Sequence, residues 1–269
     1  MKLCLLRIRY INYAGYEIEL PDHRVIALDP CLTTDGVQPS DDYYGRVDYI
    51  LISHTHYDHT KDIPVILKKN HPEILCPGHS AFNLAEDFNL DLDHLYPLYP
   101  DQSLFFENLR ITARFAKHKA ATYQRTISCE RENLQKAFGA QYLGSNICGS
   151  AEYIDYEITL AGGLKIFISG GGIVHSLQNI NAELLKYKPN ILFRQTTSKY
   201  SPEEFAELLK EWGAVWNFPL HQDGLEKASG MSLAEYFIRT NSYLEKMEIS
   251  CRAINPIPGR WYEISTRIE

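Results

Sequence analysis

Short strand-like runs and a few amphipathic helical patterns alternate along the whole of this 269-residue chain. Side chains two apart share a strand face, whereas a helix repeats every three to four residues. By that measure residues 3–9, 15–20 and 24–28 read as strands, the last two separated by the turn-forming Pro21-Asp22-His23. The run at 47–53 (VDYILIS) predicts a buried strand, and further strands are expected at 73–76, 109–116, 152–160, 164–169 and 215–219. A helix is expected over 62–69, with Asp62 as its cap and Pro64 in its first turn. A second helix covers 201–212 (SPEEFAELLKEW), where Ser201 caps, Pro202 takes the first position and acids fill the first turn. A third is expected over 232–243. Strands mixed with helices from end to end predict a layered α/β architecture. The sequence has no repeat, low-complexity tract or Gly/Ser linker, so a single domain over 1–269 is expected. Within it, the less regular, polar segment 119–150 is a candidate lid or insertion.

Composition narrows the function classes. The chain is 45% hydrophobic and 23% charged, and no stretch approaches the roughly 20 apolar residues of a spanning helix. The opening MKLCLLRIRYINYAGYEIEL is broken by Arg7 and Arg9 and reads as a first strand, not a secretory signal, which makes the cytoplasm the expected compartment. The six cysteines form no C-x-x-C pair and read as small buried hydrophobes in a reducing compartment. With a net charge of −7 and no basic stripe, nucleic acid is a poor partner and a small-molecule substrate is expected. The 18 tyrosines leave room for self-association, so a homo-oligomer is a candidate state.

One segment carries chemistry. Residues 53–60 read SHTHYDHT, between a strand and a helix. His54 and His56 are two apart at a strand's end, so their imidazoles can converge on one cation. The chain then turns, so Asp58 and His59 project differently and suit a second cation or support of the first. Imidazole with carboxylate suits zinc, manganese or iron. More ligands must come from distant segments, and His118 and His221 both stand where a strand-like run meets a loop.

H-x-H-x-D-H after a strand, with single histidines at two later strand ends, resembles the metallo-β-lactamase superfamily. NYAGYEIEL…VIALDP (12–30) looks like its opening strands, including Asp29-Pro30. SPEEFAELLKEWGAVWNFPLHQDG (201–224) is similar to the close of its ascorbate-6-phosphate lactonase-like branch. The resemblance implies an αββα sandwich of four layers. It assigns His54, His56 and His118 to a first metal, and Asp58, His59 and His221 to a second. Family members carry a Gly-Asp after the third ligand, and that aspartate bridges both metals. Here the corresponding stretch is IFISGGG (166–172), with Gly171 in the aspartate's place. A bridging carboxylate offsets repulsion between two dications, so the second site is expected to be weaker or empty, or the ions farther apart. His175 is a candidate substitute ligand.

These residues predict a metal-dependent hydrolase of a small ester, lactone or phosphoester, with zinc the first choice, manganese or iron the alternatives, and one or two ions. Asp58 is the expected residue to orient the attacking water or carry its proton. Arg125, Arg194 and Lys199 are candidate contacts for an anionic substrate group. Two other readings stay open: a metal-binding ligand sensor without turnover, and a nuclease of the same fold.

Overall fold

The computed structural model describes residues 2–34, 38–116, 152–170, 187–196 and 200–268. Among them are two seven-stranded sheets. The first has the order β14-β1-β2-β3-β4-β5-β6 and the second β13-β12-β11-β10-β9-β8-β7. The first is built from β1 (Lys2–Tyr10), β2 (Tyr16–Glu19), β3 (Val25–Leu28), β4 (Tyr49–Leu51), β5 (Glu73–Pro77), β6 (Leu95–Leu98) and β14 (Trp261–Ile268). The second holds β7 (Ser103–Phe106), β8 (Leu109–Phe115), β9 (Ile154–Leu160), β10 (Lys165–Ser169), β11 (Ile191–Gln195), β12 (Trp216–Leu220) and β13 (Arg252–Ala253).

Period-two alternation decides which side chains meet between the sheets. Leu6, Ile8 and Tyr10 of β1 point inward, and Ile26 and Leu28 of β3 join them. From the other sheet come Ile111, Ile158, Ile166, Phe193 and Phe218. Phe193 stacks on Phe218 at 5.5 Å, and Tyr16 meets Phe193 edge-on at 5.0 Å. The central strands are buried on both faces, as parallel strands under helices must be. Ala27, Ile50 and Ile52 form a second core with Ile63, Ile66, Leu84 and Phe88 of the helical layer outside the first sheet. Phe167 and Leu192 form a third with Phe205, Leu209, Trp212, Tyr236 and Phe237 outside the second. Helix, sheet, sheet and helix therefore stack in the expected four-layer α/β sandwich.

The helices follow from local chemistry. Helix α1 (Tyr57–Thr60) carries part of the histidine motif, and α2 (Ile63–Leu67) and α3 (Ala81–Phe88) cover the first sheet. Helix α4 (Pro202–Trp212) opens with a full capping box, in which Ser201 accepts from the Glu204 amide and Glu204 reaches back to the Ser201 amide. It stops at Gly213, where φ is 62°. Short α5 (Leu225–Ser229) precedes α6 (Leu233–Lys246), which runs three residues past its expected end. Asp62 departs from expectation. It precedes α2 without capping it through its side chain, because its carboxylate instead accepts from the Leu32 amide and the Tyr44 hydroxyl, both at 2.7 Å.

Strand direction positions the site. β3, β4, β5 and β6 are mutually parallel, as are β10, β11, β12 and β13. Asp29 follows β3, Ser53 and His54 follow β4, Gly170 follows β10 and His221 follows β12. The carboxyl ends of both parallel runs thus open on one edge of the sandwich, where open α/β sheets place their ligands. The Ile154 amide donates to the Ser53 carbonyl at 2.9 Å and ties the two sheets together there.

Candidate metal centre

Four imidazoles gather at this edge. His54 Nε2 lies 3.0 Å from His56 Nδ1, and His59 Nε2 lies 3.0 Å from His221 Nε2. The rings of His54 and His59 are 3.8 Å apart between centroids, so the two pairs form one cluster. Asp58 Oδ2 stands 3.7 Å from His59 Nε2 and 3.9 Å from His221 Nε2. Tyr153, on the approach to β9, packs its ring 4.8 Å from His54 and 6.2 Å from His56.

Local backbone explains why these side chains converge. His56 is extended (φ −63°, ψ 153°), which continues the strand's two-residue period from His54. The turn of α1 then swings Asp58 and His59 to the other side of the cluster, as the sequence spacing predicts. His221 has φ 53°, an unfavourable conformation for a non-glycine residue that costs on the order of 1–3 kcal/mol. Flanking hydrogen bonds hold it, since its amide donates to the Tyr13 carbonyl at 2.9 Å and its carbonyl accepts from Thr196 Oγ1 at 3.1 Å. Asp29 (φ 41°) and Tyr13 (φ 50°) share the left-handed region, so the backbone is strained in several places around one centre.

Three of the four rings are anchored by their far nitrogens. His59 Nδ1 meets Asp29 Oδ2 at 2.9 Å, His221 Nδ1 faces Asp223 Oδ1 at 3.5 Å, and His54 Nδ1 meets Ser53 Oγ at 3.0 Å. Oxygen at Nδ1 places the proton there and leaves Nε2 as a lone pair facing inward. His59 Nε2 and His221 Nε2 then face each other across 3.0 Å. That arrangement is repulsive unless a proton or a cation lies between. Asp58 Oδ2 completes a triangle of donors with edges of 3.0, 3.7 and 3.9 Å. Two donors on one tetrahedral zinc stand about 3.3 Å apart. The donor set therefore fits a divalent cation.

Charge agrees with geometry. Burial disfavours the ionised Asp58, but the imidazoles of His59, His221 and His56 outweigh it and hold the carboxyl below its ordinary value. Burial likewise opposes a charged His59, yet Asp29 and Asp58 raise its pKa above the ordinary 6.5. Asp223 is held low against burial by His221. An ion entering beside His59 must displace that proton, so its apparent affinity is expected to weaken as pH falls through the raised value. The slope approaches tenfold per pH unit for each proton displaced. Titrations of the metal-free protein with zinc or manganese across neutral pH measure it, and affinity independent of pH would contradict it.

The remaining expected site residues divide. Arg194 is buried in β11, with Nη1 donating to Ser169 Oγ at 2.9 Å. It shares its strand face with Leu192, which packs under the outer helices. His118, Gly171, His175, Arg125, Lys199 and the segment 119–150 lie outside the described residues. Sequence reasoning did not single out Asp29, Ser53, Tyr153 and Asp223 as contacts of the imidazole cluster.

The Beta-lactamase superfamily domain matches residues 24–222. A UPF0173 metal-dependent hydrolase of Polynucleobacter asymbioticus is 24% identical over 237 residues, covering 84% of this chain and 77% of the relative. Among solved structures, the metallo hydrolase Igni18 of Ignicoccus hospitalis superposes with a TM-score of 0.67 at 14% identity, covering 98% of this chain and 100% of the other. An isothiocyanate hydrolase from Delia radicum gut bacteria superposes at 0.64 and 15% identity, over 97% and 100% of the two chains. The domain match spans most of the chain and contains both the histidine motif and His221, and the chain belongs to the beta-lactamase superfamily.

Proposed function

We propose that this chain, as one domain, hydrolyses a small ester, lactone or phosphoester, using a divalent cation held by His54, His56, Asp58, His59, His118 and His221. The observation that carries this reading is the convergence of His59 Nε2, His221 Nε2 and Asp58 Oδ2 within 3.9 Å of one another. When bound, the cation polarises an acceptor oxygen and lowers the pKa of water toward about 7. The protein's own groups do the rest. Asp58, held ionised by its imidazole neighbours, is placed to take a proton from the attacking water. Tyr153 packs its ring against the His54–His56 side. The sequence likeness to the ascorbate-6-phosphate lactonase-like branch and the net charge of −7 both favour a small metabolite over a polyanion. No helix among the described residues is long and apolar enough to cross a membrane.

The test is elemental analysis of protein purified without chelators, followed by assay against lactones, phosphomonoesters and phosphodiesters with zinc, manganese or iron. Metal-dependent turnover of at least one class is expected. Metal binding with no turnover across the panel would favour a ligand-holding protein, for which Gly171 in place of the bridging aspartate is the motive.

A further inference from the structure

Ser53 precedes the histidine motif and belongs to neither ligand set, yet it touches both halves of the centre. Its amide donates to Asp29 Oδ1 and its hydroxyl to Asp29 Oδ2, each at 2.7 Å. The same Oδ2 accepts from His59 Nδ1 at 2.9 Å. On its other side Ser53 Oγ lies 3.0 Å from His54 Nδ1. The direct path from Ser53 Oγ to His59 Nδ1 is longer, at 3.5 Å.

We propose that Ser53 is a positioning residue that relays the Asp29 carboxylate to His54, so that one buried carboxylate sets the tautomer of an imidazole in each half of the centre. Proton counting fixes the direction. An ionised carboxylate only accepts, so the single hydroxyl hydrogen of Ser53 points at Asp29. The remaining lone pairs of Ser53 Oγ can then only accept, and His54 must donate from Nδ1. That leaves His54 Nε2 unprotonated and directed at His56 Nδ1, 3.0 Å away. His59 obtains the same tautomer from Asp29 directly. Gly170 makes the close packing possible. A Cβ there would lie 2.7 Å from Ser53 Cβ, 2.9 Å from Ser53 Oγ and 3.3 Å from Asp29 Oδ2. No side chain fits between the end of β10 and this relay, so the second sheet closes it against solvent.

The inference rests on reading His54 and His59 as metal ligands, and the experiment separates the two ideas. Long-range nitrogen–proton NMR of the metal-free wild type, at mildly alkaline pH, reports each ring's tautomer without any metal. His54 is expected to carry its proton on Nδ1, and a proton on Nε2 would overturn the relay whether or not any variant folds. Ser53→Ala is expected to shift that tautomer toward a mixture and to weaken the first zinc or manganese ion by about 10- to 100-fold. His59, still bonded to Asp29, keeps its tautomer in the variant. A Ser53→Ala protein with the wild-type His54 signature and unchanged affinity would also overturn the relay. Failure of the wild type to bind zinc or manganese would count against the metal-centre reading alone, since the tautomer is measured without an ion.

Discussion

His56→Ala is expected to lower metal-dependent hydrolysis by more than about a hundredfold while leaving the metal-free fold intact. The magnitude follows from ranking. Loss of an oxygen that merely orients a ligand costs about 10- to 100-fold in affinity or activity, and loss of the ligand itself must cost more. His56 suits the test because its side chain is only half-buried, and it meets His54 and the Tyr153 ring. Its backbone carbonyl, which accepts from Thr60 Oγ1, is unaffected by the change. Thermal unfolding in chelator should therefore move by no more than a surface substitution does, about 0.5 kcal/mol. The assay uses the panel above at saturating zinc or manganese, with metal content measured on the same sample. Retained turnover would remove His56 from the centre and break the pairing on which the first ion depends.

Much of this cluster is legible in the sequence because most of its side chains are local. H-x-H-x-D-H encodes an extended pair and then a change of direction. The backbone at His56 is extended as expected, while the turn over Tyr57–Thr60 is already helical, ahead of the helix expected from Asp62. His221 is recognisable as a histidine closing a short strand, and the structure brings it to His59. What escapes sequence reading is the anchoring. Asp29 reaches Ser53 and His59 because β3 pairs in parallel with β4, Leu28 opposite Leu51. That register joins residues 24 and 30 positions apart and leaves no periodic trace. The dipeptide Asp29-Pro30 after a fully apolar strand is the available signal, and it looks the same as an ordinary strand-ending turn. Asp223, two residues past His221, is a nearer clue, since alternate positions can face one centre.

The missed elements have a similar cause. Helix α3 (AFNLAEDF) is eight residues long and buries only Ala81, Leu84 and Phe88, too few periods to stand out. β6 (LYPL) carries a proline, and β7 (SLFF) alternates poorly with its exposed Phe105. Both lie at sheet edges, where one neighbour suffices and burial imposes little pattern. Asp62 shows the opposite error. Position alone marks it as a helix cap, but a buried amide and a buried tyrosine hydroxyl compete for its carboxylate and win.

The largest stability effect is expected at Asp29. Its side chain is fully buried, sits at φ 41°, and accepts from the Ser53 amide, the Ser53 hydroxyl and His59 Nδ1. Asp29→Ala removes the acceptor from all three donors and places alanine in a left-handed conformation it resists. Breaking a buried charged pair costs about 3–5 kcal/mol, and that is the expected destabilisation of the metal-free protein in urea. Asp29→Asn separates shape from charge. Asparagine tolerates the left-handed region and keeps one acceptor oxygen, so its loss of stability should be smaller. Its loss of ion affinity should not be, because the anion that fixes the His59 tautomer is gone. The pH dependence carries a sign. The pKa of His59 is raised above its ordinary 6.5, although burial opposes this, mainly by Asp29. The stabilisation from that pair is therefore complete below the unfolded value and disappears as pH rises through the folded one. In chelator, the gap between wild type and Asp29→Asn should narrow on going from mildly acidic to alkaline buffer. A gap that stays constant with pH would mean that His59 is neutral beside Asp29 throughout, and that the carboxylate orients the ring without ever sharing a charge with it.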